Sequence, residues 1–139
     1  MPQRSRVETA FAIYSIVSAL VHFTGETAYH VKWGQPLPML LVDYIAISAL
    51  LIAGTRSLQV RRTASAMGML AGGWGFTFCL NWRAYFGRAI DLEAGRVHAN
   101  GEPTWVMGLL GGLLLISGAA AVLSFALADP RFARPPQAR

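Results

Sequence analysis

The chain has 139 residues, of which 54% are hydrophobic and only 14% are charged. Globular domains carry about 25% charged residues, and a soluble chain of this length has too little interior to hide so much apolar surface. The composition therefore excludes an ordinary soluble domain and indicates a protein whose solvent is mainly lipid. Basic residues beside membrane spans account for the net charge of +5, so we expect no nucleic-acid partner.

Four long stretches contain almost no charge: residues 9–31, 37–55, 63–82 and 104–127. The only charged residues within them are Glu26 and Asp43. A run of about 18 or more apolar residues can cross a bilayer as a helix, which satisfies its own backbone hydrogen bonds in lipid. The sequence therefore predicts an all-α integral membrane protein, with four transmembrane helices bundled in one domain over 9–127 and cytoplasmic tails at 1–8 and 128–139, the second of them flexible.

The distribution of Lys and Arg predicts the orientation of the bundle. The two tails and the connection 56–62 carry eight basic residues, whereas the connections 32–36 and 83–103 carry four. By the positive-inside rule both termini lie in the cytoplasm and 83–103 lies outside. We expect the membrane to be a bacterial inner (plasma) membrane.

The first predicted helix carries ionisable side chains along one face. His22, Glu26 and His30 follow one another at intervals of four residues, which places them on the same side of a helix. At a rise of about 1.5 Å per residue, His22 and Glu26 lie in the outer half of the predicted membrane. An alternative interpretation is that Glu26 and His30 only mark the end of this helix at the membrane surface.

Asp43 lies inside the second span at a depth that overlaps those of His22 and Glu26. An ionisable group in lipid costs at least about 2.5–3.5 kcal/mol, so such residues usually face the bundle interior and are functional candidates. We predict an outward-opening polar pocket with His22, Glu26 and Asp43 as catalytic candidates. The alternative for Asp43 is a structural pairing with His22 or Arg83. The candidates for ligand contacts are Tyr44, Trp74, Thr77, Asn81 and Trp82.

These residue types suit acid–base chemistry on a lipophilic ligand. A carboxylic acid in apolar surroundings favours its protonated form, and a histidine titrates near neutral pH. Together they can add a proton to one atom and remove one from another, as in double-bond isomerisation or proton-initiated cyclisation of a sterol- or terpenoid-like substrate. Aromatic rings such as Tyr44, Trp74 and Trp82 can stabilise a carbocation. This chemistry needs no cofactor.

The run VHFTGE at 21–26, followed by Asp43 early in the second of four spans, resembles the core of the emopamil-binding and sigma-2-receptor group of membrane proteins. That group includes the sterol Δ8–Δ7 isomerase. The resemblance covers roughly the first 50 residues. It implies that His22, Glu26 and Asp43 line an intramembrane pocket for sterols or cationic amphiphiles.

Two other classes of function stay open. His22, Glu26, His30 and Asp43 offer nitrogen and oxygen ligands for a metal or a proton path, but His22 and His30 are roughly 12 Å apart along one helix, so we predict no metal site. A non-enzymatic subunit of a larger membrane complex is the other class. Glycine pairs at 68/72 and 108/112 predict close helix packing, within one chain or between copies in a homo-oligomer.

Overall fold

A computed structural model describes residues 5–59, 64–95 and 105–129. These residues form four helices and no strand: α1 (Arg6–Trp33), α2 (Leu37–Gln59), α3 (Ala64–Glu93) and α4 (Trp105–Ala128). The predicted all-α bundle is confirmed for this part of the chain. Three of the helices, α1, α2 and α4, are long and apolar enough to cross a membrane. The flexible tail predicted at 128–139 lies outside the described residues from position 130 onward.

Local sequence signals fix both ends of α1. The Ser5 hydroxyl accepts a hydrogen bond from the Glu8 backbone, and the Glu8 carboxylate accepts one from the Ser5 backbone, which completes a capping box. At the other end Gly34 has a φ of 69°, and its N–H donates to the carbonyl of His30. Glycine adopts this left-handed conformation at little cost because it has no Cβ. Only residues 34–36 separate α1 from α2, so the two helices form a tight hairpin.

Contacts between the helices define an up-down-up-down register. On α3 and α4, Phe78 lies against Gly118 and Tyr85 against Gly111, so residue numbers rise on one helix as they fall on the other. Helices α1 and α3 run parallel, because Trp74 bonds Ser15 and Arg88 bonds Tyr29 with the same separation of 59 residues. The start of α1 and the end of α4 therefore lie at one end of the bundle, and the 34–36 turn lies at the other.

Helix α3 is less apolar than its neighbours, although the sequence predicts a span at 63–82 like the other three. It does not reach the apolarity that marks the other helices as membrane-spanning, because glycines and polar residues such as Thr77 and Asn81 occupy positions that are aliphatic in α4. This helix packs against both α2 and α4 and also bonds α1 through Trp74. Because three neighbouring helices cover part of its surface, α3 exposes less of it to lipid. Its residues can therefore be less apolar.

Helix α3 also extends well beyond the apolar stretch that predicted it. It continues from residue 82 through Glu93, and Gly95, with a φ of 67°, follows its end. The first half of the connection predicted at 83–103 is therefore helical. The reason is that hydropathy reports contact with lipid, whereas a helix can continue through polar residues. Residues 83–93 contain no proline, and their one glycine, Gly87, lies inside the helix.

Four glycines make the close helix contacts, and they are not the predicted pairs. A Cβ on Gly54 would stand 2.7 Å from the Ile16 side chain, and one on Gly73 would stand 3.0 Å from Leu50. Gly111 and Gly118 lie similarly against aromatic rings of α3. A Cβ built on either glycine of the pairs 68/72 and 108/112 would have no atom of a neighbouring element within 4 Å. Those two pairs therefore do not pack α3 against α4 within the chain.

Candidate functional site

The α1–α2 hairpin brings five polar side chains together beside its turn. We call them the hairpin cluster: His22, Glu26, His30, Gln35 and Asp43. The left-handed Gly34 reverses the chain, and the Pro36 carbonyl accepts hydrogen bonds from the N–H groups of Met39 and Leu40 in the first turn of α2. Gln35 is thereby held in the turn with its side chain directed back between the two helices.

One amide joins the two charged residues of the predicted membrane spans. Nε2 of Gln35 donates to Oε2 of Glu26 at 3.3 Å and to Oδ2 of Asp43 at 3.0 Å. Both carboxyl groups thus lie within hydrogen-bonding distance of a single nitrogen, although they belong to different helices. The structure brings together two of the three predicted catalytic candidates.

The third candidate, His22, completes the group from α1. Its Nε2 lies 3.3 Å from Oε1 of Glu26, one helical turn away, and the two side chains are only 13% and 22% exposed. Glu26 therefore uses one oxygen for a histidine and the other for an amide. The alternative in which Glu26 only marks a helix end does not describe this geometry, because both of its oxygens are engaged inside the hairpin.

His30 forms its hydrogen bond with the backbone of the turn and not with a carboxylate. Its Nδ1 lies 2.7 Å from the carbonyl oxygen of Gln35. A carbonyl only accepts hydrogen bonds, so Nδ1 carries the proton, and in the neutral ring Nε2 is an acceptor. Because the backbone carbonyl of His30 also accepts from Gly34, this residue fixes the turn twice and with it the position of the Gln35 amide.

The amide of Gln35 is only half satisfied. Its oxygen Oε1 is buried and has no hydrogen-bond partner among the described residues. A buried acceptor without a donor costs about 1–3 kcal/mol, and native structures contain few of them. This unsatisfied oxygen lies beside the carboxyl groups of Glu26 and Asp43.

An aromatic surface adjoins the hairpin cluster. The Tyr44 and Thr27 hydroxyls lie 2.8 Å apart, and the Tyr44 ring packs on Phe23 at 5.2 Å between centroids. Near the end of the hairpin, Arg88 of α3 donates to the Tyr29 hydroxyl at 2.8 Å. Partial burial lowers the pKa of Arg88, and nearby Asp91 opposes that shift. Of the predicted ligand contacts, Tyr44 is the one that belongs to this neighbourhood.

Trp74 belongs to a different part of the bundle. Its indole N–H donates to the Ser15 hydroxyl at 2.9 Å, its ring stacks on Tyr14 at 5.6 Å, and the side chain is 3% exposed. Ser15 precedes Glu26 by three helical turns, roughly 16 Å along α1. Trp74 is therefore a core residue in the half of the bundle that lies away from the turn.

The remaining predicted ligand contacts on α3 also point away from the cluster. The Thr77 hydroxyl donates to its own helix at the Gly73 carbonyl. Asn81 lies at the level of His22 in the parallel register, but its amide donates to Ser117 and to the Leu113 carbonyl on α4. Trp82 is 51% exposed and packs on other rings of α3. Similar depth in the membrane did not place these residues on a common surface.

Sequence reasoning missed Gln35, the residue that organises the site. A polar residue between Gly34 and Pro36 is typical of an ordinary turn, so its role was not apparent. One indication was present: the turn directly connects the two spans that carry the only intramembrane charges, so any side chain in it lies near both.

Among the described residues, no group of three or more His, Cys, Asp or Glu side chains is arranged to hold a metal ion.

Comparisons of the chain with models of protein families, with curated proteins and with solved structures gave no match.

Proposed function

We propose that this membrane protein binds a small lipophilic ligand at the hairpin cluster and moves a proton on that ligand. The observation that carries the proposal is the single Gln35 amide that donates to both Glu26 and Asp43. The amide holds the two carboxyl groups side by side, so that one can carry a proton while its neighbour acts as a base. The pair is thus suited to hold one transferable proton.

The reaction class we propose is isomerisation of a carbon–carbon double bond. One carboxyl group delivers its proton to an alkene carbon, and a base removes a proton from a neighbouring carbon, so the composition of the ligand is unchanged. His22, bonded to Glu26, is suited to be that base or to restore the proton. Tyr44 and Phe23, packed together beside the cluster, offer ring faces for the intermediate carbocation.

The proposal also covers the side of the membrane on which the site lies and the kinship of the protein. We place the turn 34–36 at the outer surface, so that a pocket beside the cluster opens outward from a bacterial inner membrane. We also retain kinship with the emopamil-binding and sigma-2-receptor group as a proposal, because the residues that carry that resemblance, His22, Glu26 and Asp43, are those that the hairpin gathers.

Solvent deuterium tests the reaction even when the substrate is unidentified. The purified protein is incubated in D2O with lipid extracts and a panel of sterols and terpenoids, and the products are examined by mass spectrometry. Proton addition and removal on carbon exchanges one hydrogen for deuterium. The wild type is expected to yield an isomer that carries solvent deuterium, and Asp43→Asn and Glu26→Gln are expected to lower its rate at least about 100-fold.

A matched control separates this effect from a general loss of charge. Glu93, the last residue of α3, is an exposed acid outside the hairpin cluster, and Glu93→Gln is expected to retain the wild-type rate. Deuterium incorporation that is equal in the wild type and in Asp43→Asn would overturn the assignment of the site. If panel compounds bind but incorporate no deuterium, the protein binds a ligand without catalysing its isomerisation, and the enzymatic part of the proposal is wrong.

A second candidate function, a subunit in a homo-oligomer or a larger membrane complex, is favoured by a separate observation. Gly68 and Gly72 on α3, and Gly108 and Gly112 on α4, have open space where a Cβ would stand. Small residues spaced in this way allow another helix to approach closely. The exposed Cys79 follows Gly72 by two helical turns, on the same side of α3.

Disulfide formation tests this second candidate. Cys79 is the single cysteine of the chain, so mild oxidation can only link separate molecules. A homo-oligomer through this side of α3 is expected to give a cross-linked dimer that Gly72→Ile abolishes. Gly25→Ile, at an equally open glycine of α1, is the control. A single copy bound to a different protein in the purified complex would instead favour the larger assembly.

A further inference from the structure

We infer that a transmembrane helix of a different protein covers the exposed side of α3, and that this helix carries a carboxylate at the depth of Arg83. The inference deepens the second candidate function and rests on it, because it names the chemistry of the partner in a larger membrane complex. It follows from the position of one arginine relative to the four helices.

Arg83 lies deeper in the membrane than the sequence predicts. The apolar stretch 63–82 leaves it at the membrane surface. In the structure Phe78 lies against Gly118, near the middle of α4. Because α4 has no charged residue along its length, this level is close to the middle of the lipid layer. Arg83 follows Phe78 by five residues, so its backbone lies roughly 6 Å from the middle of a layer about 30 Å thick.

The side of α3 that carries Arg83 is exposed. We call it the open face, and its residues recur at intervals of three or four, which places them on one side of the helix: Gly72, Phe76, Cys79, Arg83 and Phe86. Arg83 forms no hydrogen bond or ion pair with any of the described residues. A charged side chain that faces lipid at this depth is costly, and such residues nearly always pair with another group.

Arg83 is poorly oriented to reach the outer surface by itself. Arginine side chains near helix ends commonly extend to the lipid headgroups. The Cα–Cβ bonds of a helix tilt toward its N-terminus, and α3 begins at the end of the bundle that lies away from the 34–36 turn. The side chain of Arg83 therefore leaves the helix toward the middle of the membrane, and an acid within the lipid layer compensates its charge better than a headgroup does.

Charge complementarity argues against a second copy of the chain on the open face. Two copies related by a two-fold axis normal to the membrane meet through the same face, so Arg83 of one copy would oppose the same residue of the other. The carboxyl groups of Glu26 and Asp43 are already engaged by Gln35 inside the hairpin. A helix of another protein with Asp or Glu at this level would instead form a charge-assisted hydrogen bond.

The open face also has room for a helix. Gly68 and Gly72 have open space where a Cβ would stand, and small residues at this spacing let helices approach closely. Beyond them, Trp82 and Phe86 pack on each other at 4.5 Å between centroids and are both exposed. The partner helix would thus lie along the glycines and an aromatic surface, with its acid opposite Arg83.

A synthetic transmembrane helix of defined charge tests the inference. The full chain, with a donor dye on Gln59→Cys in a Cys79→Ala background, is reconstituted in phosphatidylcholine vesicles with an acceptor-labelled leucine–alanine peptide. The peptide carries a single Glu about four residues from its centre, which matches the depth of Arg83, and a twin peptide carries Gln. By energy transfer, we expect the Glu peptide to bind about tenfold more tightly than the Gln peptide, since a polar contact between membrane helices accounts for a ratio of that order.

Variants at two arginines locate the contact. Arg83→Gln is expected to bring the Glu-to-Gln ratio close to one, and Arg83→Lys, which keeps the charge, is expected to retain most of it. Arg56→Gln, at an exposed arginine in the last turn of α2, is the control and is expected to keep the wild-type ratio. Gly72→Ile fills the open face and is expected to weaken the binding of both peptides.

The outcomes separate the inference from the functions on which it builds. Equal binding of the two peptides would overturn the acidic partner and leave helix packing at the open face intact. Loss of the ratio when phosphatidylglycerol is added would show that an anionic lipid compensates Arg83. Energy transfer between two copies of the chain that Gly72→Ile abolishes would show that a second copy covers the face, and either result overturns the inference. Binding of neither peptide would overturn the second candidate function itself, and no result here depends on the reaction at the hairpin cluster.

The depth of Arg83 is measured separately. Cys79 lies one helical turn before it and is the single cysteine of the chain. A small fluorophore on Cys79 is expected to be quenched most by lipids brominated near the ends of their acyl chains. Strongest quenching by lipids brominated beside the headgroup would place Arg83 at the membrane surface, where water compensates its charge, and would overturn the inference.

Discussion

Glu26 on α1 and Asp43 on α2 accept hydrogen bonds from the same nitrogen atom, the amide of Gln35. Neighbouring carboxylates repel each other when both are ionised, and the positive end of the amide dipole between them reduces that repulsion. The arrangement depends on a turn of three residues, because a longer connection would not fix the amide between the two helices. The integrity of the site is therefore tied to the integrity of the hairpin.

Replacing Gln35 is expected to destabilise the protein. Gln35→Leu removes two hydrogen bonds to charged groups, each worth about 1.5–3 kcal/mol, and leaves the carboxyl groups facing each other. We expect the free energy of unfolding, measured by denaturant titration in detergent, to fall by about 2–4 kcal/mol. In an Asp43→Asn background the loss should be smaller, since residues of one network are not additive. Equal losses in the two backgrounds would contradict the shared amide.

The two tryptophans of α3 are expected to behave differently. Trp74→Phe removes a buried hydrogen bond to Ser15 and part of a packed ring, and we expect thermal unfolding to show a loss of about 1–3 kcal/mol. Trp82 is half-exposed, so Trp82→Phe should change stability by less than about 0.5 kcal/mol. Ligand binding at the hairpin should survive both substitutions. If Trp74→Phe loses ligand binding while its stability is unchanged, Trp74 is a ligand contact, and its placement in the core away from the site is wrong.

The close glycine contacts predict opposite effects of alanine at two positions. A Cβ on Gly54 would lie 2.7 Å from Ile16 and 3.1 Å from the Ala12 carbonyl, and we expect Gly54→Ala to cost about 1–3 kcal/mol through overpacking. Gly68 has open space at the same place, so Gly68→Ala should be neutral or stabilise the helix by up to about 1 kcal/mol. Unfolding curves of the two variants that coincide would contradict this helix packing.

Both termini are expected on the cytoplasmic side. The register sets the beginning of α1 and the end of α4 at one end of the bundle, where Arg6 and Arg56 also lie. Fusions of green fluorescent protein to either terminus should fluoresce, and fusions of alkaline phosphatase to either terminus should be inactive. One terminus on each side would mean that an odd number of helices cross the membrane. In that case α3 would not be a transmembrane helix.

The sequence predicted the helices well because hydropathy alone defines most of them. Four helices, the α1–α2 hairpin and the proximity of His22, Glu26 and Asp43 all follow from charge depletion and from spacing at intervals of four. The part of α3 at 83–93 was not predicted, because hydropathy does not detect a helix whose residues are polar. For the function, the sequence indicated only which residues to consider first: Glu26 and Asp43, whose charge is costly in lipid.

The errors in the predicted ligand surface have a physical cause. Depth in a membrane is measured along the helix axis, whereas a shared pocket also requires the same rotation about that axis. Asn81 has the depth of His22, but its face of α3 turns toward Ser117 on α4. Trp74 faces Ser15 instead of the turn. Rotation depends on which helices pack together, and a single sequence does not specify that when glycines occur on several faces.

The side-chain amide of Gln35 offers the most direct measurement of the central relationship. The chain has four glutamines, so NMR of protein labelled with nitrogen-15 glutamine gives few amide pairs, and Gln35→Leu assigns the one of interest. We predict two inequivalent, slowly exchanging amide protons, one of which shifts in Glu26→Gln and the other in Asp43→Asn. A Gln35 amide with solvent-like shifts and fast exchange, unchanged by both substitutions, would contradict the account.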